Sequence, residues 1–101
     1  MNVTLTVPDY EERAHLRFEW DGGFEILLER NENEVVIKAN TPGLISLARH
    51  LLTLAQLTVP AGSHLHLTEE SELEEGSGEL IIEKSDITPR LAPRSVSSLS
   101  F

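Results

Sequence analysis

Residues 40–57 read NTPGLISLARHLLTLAQL. Leu44, Leu47, Ala48, Leu51, Leu52 and Ala55 recur at steps of three and four, which lines one side of an α-helix. Ser46, Arg49, His50, Thr53 and Gln56 fall on the opposite side. The spacing predicts a helix from about Pro42 to Leu57, with its leucine stripe buried and its polar side, His50 and Arg49 included, at the surface. Thr41 is placed to cap this helix, and Pro42 suits its first position, where a missing N–H would be unpaired anyway. Val59-Pro60-Ala61-Gly62 stops it.

On either side the period changes from 3.6 to two, the signature of half-buried strands. Val3, Leu5 and Val7 alternate with Thr4 and Thr6 until Pro8. Ala14, Leu16, Phe18 and Trp20 alternate with His15, Arg17 and Glu19. Asp21-Gly22-Gly23 supplies a tight hairpin, after which Phe24, Ile26 and Leu28 continue inward with Glu25 and Glu29 outward. Asn31-Glu32-Asn33 is the next turn, and Val35, Ile37 and Ala39 make a fourth strand. Beyond the helix, Leu65 and Leu67 alternate with His64, His66 and Thr68, and Leu80 and Ile82 with Glu79, Ile81 and Glu83. The expected fold class is α+β: an antiparallel sheet of about six strands in the order ββββ-α-ββ, with the helix on one face and the other face charged and wet. Trp20 is expected in the core, with an interface anchor as its alternative role.

The 101 residues, 40% of them hydrophobic, suit a single domain with a modest core. That domain is expected over residues 1–84, followed by a tail, 85–101, marked by Pro89, Pro93 and several serines. Ile87, Leu91, Val96, Leu99 and Phe101 are spaced along the tail, so it has apolar groups with which to hold its own domain or a neighbour. Apolar runs stop at two or three residues and no leader pattern opens the chain, so the expected location is the cytoplasm, without a membrane span. The absence of cysteine excludes disulfides, thiolate zinc sites and cysteine nucleophiles. A net charge of −9 opposes nucleic-acid binding, which needs surplus Lys and Arg, and suits a basic partner instead.

Two clusters carry candidate chemistry. His64 and His66 are two apart on a strand and therefore share a face. A zinc site would need a third ligand, for which His15, Glu79 and Glu83 are the candidates; two ordinary polar residues on a wet face is the simpler reading, and no metal or cofactor is assigned. Glu69, Glu70, Glu72, Glu74 and Glu75 form the densest charge in the chain. A polar loop lacks the burial that acid–base catalysis requires, which leaves a solvated loop or an electrostatic docking surface for a basic partner. Gly-x-Ser-x-Gly is absent, and Gly22-Gly23 lacks the spacing of a phosphate-binding loop, so an enzyme is not expected.

The succession from Gly43 to Lys84 joins the helix, Val-Pro-Ala-Gly-Ser-His-Leu-His-Leu, Leu-Glu-Glu-Gly-Ser and Glu-Leu-Ile-Ile-Glu-Lys. It resembles the Immunity protein 32 family of bacterial polymorphic-toxin systems. Thr68-Glu69-Glu70 stand where that pattern leads one to expect an aspartate. The resemblance implies a small cytoplasmic antidote that binds a cognate toxin domain; many such toxins are nucleases with basic substrate grooves, so a basic nuclease domain is the expected target. Charge and position then nominate Glu69, Glu70, Glu72, Glu74 and Glu75 as partner-binding residues, with His64 and His66 beside them. Two alternatives stand next to this reading: a small metal-dependent enzyme built on His64 and His66, and a homo-oligomeric structural module using a sheet face, an edge or the apolar tail.

Overall fold

The structure, a computed structural model, describes residues 1–13 and 16–86. Its elements are β1 (Ile26–Asn31), β2 (Glu34–Ala39), α1 (Thr41–Ala55), β3 (His64–Thr68) and β4 (Glu79–Glu83). The class is α+β as expected, but the strands number four among the described residues and form two antiparallel hairpins, β1–β2 and β3–β4. The registers run Ile26 opposite Ala39 to Asn31 opposite Glu34, and His64 opposite Glu83 to Thr68 opposite Glu79. No described helix is long and apolar enough to cross a membrane. His15, Ala14 and the apolar residues of the tail from Ile87 onward lie outside the described residues.

The two expected N-terminal strands are where the architecture departs from the six-stranded reading. Leu16, Phe18 and Trp20 do turn inward while Arg17 and Glu19 are exposed, so the alternation identified the buried side. What this segment lacks is a ladder partner among the described residues, and residues 3–7 lack one there too. Thr6 and the residues flanking the two segments, Pro8, Tyr10 and Asp21, bond to helix side chains. Arg49 Nε donates to Thr6 O at 3.1 Å, Gln56 Nε2 donates to Pro8 O at 2.9 Å, and Tyr10 N donates to Gln56 Oε1 at 3.0 Å. Asp21 N donates to Ser46 Oγ at 2.9 Å, and the Asp21 carboxylate pairs with Arg49 at 3.0 Å.

This arrangement turns the helix round relative to the sequence-based expectation. The side packed against the domain is Gly43, Ser46, His50, Thr53 and Leu54, together with the half-buried Leu47. Leu44, Leu51 and Leu52 are 55%, 51% and 49% exposed, and Ile45 is 36% exposed. Small hydroxyl residues can be buried here because each has a partner: Thr53 Oγ1 donates to Arg49 O, and Ser46 accepts from Asp21. His50, expected at the surface, is fully buried, with the Phe18 ring near-perpendicular to it at 5.3 Å and the Trp20 ring inclined at 65° to it at 4.2 Å. Neither imidazole nitrogen finds a hydrogen-bond partner among the described residues. Burial first, then the Arg49 charge, pushes the His50 pKa down to about 4, with Asp21 opposing.

The helix starts one residue earlier than expected. Asn40, not Thr41, is the cap: its Oδ1 accepts from Gly43 N and from Glu25 N, both at 2.9 Å, while its Nδ2 donates to Gly23 O. Pro42 is consequently the second helical residue. One side chain thus fixes the first turn of α1, the approach to β1 and the Gly22-Gly23 turn, where Gly23 takes a positive φ of 80°. The core draws on every element except β2's tip: Ile26 from β1, Leu54 from α1, Leu65 and Leu67 from β3 and Leu73 from the loop before β4, with Trp20, Phe24, Leu80 and Ile82 against them. Trp20 stacks on Phe24 at 4.4 Å, which is the core role anticipated for it.

Candidate functional site

The glutamate-rich segment between β3 and β4 is a fastened loop. Leu73, 4% exposed, plugs it into the core, and Ser77 is fully buried with its Oγ accepting from Leu28 N at 3.0 Å. Glu74 N donates to Ile26 O at 2.8 Å, so the loop lines the edge of β1 that β2 leaves open. Arg30 extends from β1 and donates to the carbonyls of Ser77 and Glu79. Inside the loop, Glu69 N donates to Gly78 O and Leu73 N to Thr68 O, both at 2.9 Å.

The five nominated glutamates do not share one environment. Glu69 is turned to local work, its Oε2 accepting from Gly76 N at 2.8 Å. Glu72 is half-buried, with Oε2 out of water and unpartnered among the described residues. Glu70, Glu74 and Glu75 are exposed, and Glu69 also remains accessible. His64 and His66 are exposed on the side of β3 opposite Leu65 and Leu67, which follows from the strand's period of two. His66 Nε2 lies 3.5 Å from Glu79 Oε1, and His64 Nδ1 lies 3.3 Å from Gly62 O.

The register adds two residues that sequence reasoning weighed only as metal ligands. Glu83 faces His64, and Glu79 sits diagonally from His66, so both carboxylates extend the acidic surface across β4. The alternation of residues 79–83 already held that signal, since Glu79, Ile81 and Glu83 must share a side. Seven of the chain's 17 acidic residues lie between Glu69 and Glu83, a span without a single Lys or Arg. Among the described residues no three His, Asp or Glu side chains come together as a cation site. What this surface can do is attract and hold positive charge.

The Immunity protein 32 family model matches residues 34–85. That stretch comprises β2, α1, β3, the glutamate loop and β4, slightly more than half of the chain. No curated protein and no solved structure matches. The matched segment holds both the helix and the entire acidic surface, and on that match the chain belongs to the Immunity protein 32 family.

Proposed function

We propose that this protein is an antidote that binds a cognate bacterial toxin domain and neutralises it through the acidic surface formed by Glu69, Glu70, Glu72, Glu74, Glu75 and the neighbouring His64 and His66. The observation that carries this reading is the unbroken negative span from Glu69 to Glu83, displayed on a loop tied to the core. The partner of best fit is a basic domain, and a nuclease has such a surface because it must hold phosphates. Occupying that groove would exclude the nucleic acid, and opposite charges would speed encounter from a common 10⁵–10⁶ toward roughly 10⁸ M⁻¹s⁻¹ at low salt. Action in the cytoplasm follows from the same reading, since that is where a nuclease finds its substrate. In this reading the chain contributes binding, and His64 and His66, exposed on β3 beside the loop, serve it as contact residues.

Co-expression with the toxin domain tests the antidote role: cells should survive with this chain and die without it. Replacing the five loop glutamates with glutamine tests the surface. Association should slow on the order of tenfold and lose most of its salt dependence, with the melting temperature nearly unchanged. Protection that persists with unchanged kinetics would place the contact elsewhere.

A further inference from the structure

We propose that the exposed leucine stripe of α1 is a homodimer interface, in which two copies of this chain pair their helices antiparallel about Ala48. The proposal goes beyond toxin binding and does not depend on it.

The stripe is Thr41, Leu44, Ile45, Ala48, Leu51, Leu52 and Ala55, the side of α1 turned away from the buried Ser46, His50 and Thr53. Its sequence is self-complementary. Leu44 and Leu52 are equidistant from Ala48, as are Ile45 and Leu51, and Thr41 and Ala55. A two-fold axis at Ala48 would therefore set Leu44 of one copy on Leu52 of the other and Ile45 on Leu51, aliphatic on aliphatic along the whole contact. The small residue stands at the crossing point, where close approach of two helices demands it. The stripe also carries no charge, whereas the chain as a whole carries −9 and would repel a second copy over most of its surface.

Area sets the strength. Fifteen residues make a helix about 22 Å long and 10 Å across. Two such strips have a flat outline of about 440 Å² together, and the relief of their side chains raises the accessible area buried to at most roughly 1,000 Å², the lower bound for a specific interface. The dimer is accordingly a weak, reversible one, dissociating at micromolar concentrations.

Sedimentation equilibrium of the full chain over about 1–300 µM tests this. The mass should rise from 11.2 kDa toward twice that value as concentration increases. Leu51→Glu should weaken association at least tenfold while circular dichroism and melting temperature hold, because the side chain is already half exposed. Ile81→Glu, at an equally exposed apolar residue on β4, should leave the mass curve unchanged. The antiparallel register has its own readout: Leu44→Lys/Leu52→Glu places opposite charges together across the axis and should associate at least tenfold more tightly than Leu44→Glu/Leu52→Glu. A monomer at every concentration overturns the proposal. So does a monomer that dimerises only after residues 87–101 are deleted, which would give the stripe to the chain's own tail. A dimer insensitive to Leu51→Glu, or one in which the two double variants behave alike, overturns it as well.

Discussion

Acidifying the protein from pH 7 to pH 5 should cost it about 2 kcal/mol through His50 alone. The imidazole titrates near 4 in the fold and near 6.5 in the unfolded chain. Between those values the unfolded state binds the extra proton, so stability falls as pH drops, by up to about 1.4 kcal/mol per unit. Above 6.5 both states are neutral and the group is silent; below about 4 the native state is protonated as well and the loss levels off. From pH 7 to pH 5 nearly one and a half units of this slope are traversed, hence about 2 kcal/mol, a large part of the roughly 5–15 kcal/mol that holds a domain together. Carboxylates also titrate in acid, so the informative quantity is a difference against His50→Leu. That variant keeps an apolar group between Phe18 and Trp20 and removes the two unpartnered nitrogens. It should be at least as stable as the parent at pH 7, because a buried N–H without an acceptor costs about 1–3 kcal/mol. Urea unfolding at both pH values, followed by the fluorescence of Trp20, the chain's one tryptophan, gives the four free energies needed. The gap between variant and parent should widen by about 2 kcal/mol at pH 5. Parallel pH curves would show that the native imidazole takes up its proton freely, and the burial argument would fail.

Gly43→Ala should destabilise by about 1–3 kcal/mol, against the usual gain for alanine inside a helix, since its Cβ would lie 2.6 Å from Glu25 O; a thermal melt decides the sign. Asn40→Ala should cost about 2 kcal/mol, more than an ordinary cap because Glu25 N loses its acceptor too, whereas Thr41→Ala at an exposed position should stay within about 0.5 kcal/mol in the same denaturation assay. Ser77→Ala leaves the buried Leu28 N–H unpaired and should cost about 1–3 kcal/mol, with faster hydrogen exchange at that amide. Leu73→Ala should cost about 2–5 kcal/mol in chemical denaturation by emptying the loop's anchor from the core.

The span of α1 and the positions of all four strands were legible in the sequence because each rests on a local period. The helix face was not. A leucine stripe shows which side would gain from burial, but the side that is buried depends on what else can cover it. Here residues 6–21 supply carbonyls, amides and aromatic rings that match Ser46, Arg49, His50 and Gln56, and they take the polar side. The same long-range bonds, spanning 25 to 48 residues, tie Thr6 and the ends of the two segments, Pro8, Tyr10 and Asp21, to the helix, and no local period reports such partners. The order of the glutamate loop was equally invisible, since its anchors, Ser77 to Leu28 and Glu74 to Ile26, join positions nearly fifty residues apart. The outward placing of His64 and His66, by contrast, follows from alternation alone.

Because the acidic crest is clasped at Leu73, Glu74 and Ser77, its carboxylates reach an opposing surface with the main chain already set. Complex formation would then surrender mostly side-chain rotamers, on the order of 1 kcal/mol for each long side chain held, and spare the larger toll of freezing ten backbone units. Severing the clasp with Ser77→Ala should therefore weaken capture of a partner even though every charge remains present, a loss that no count of glutamates would foresee.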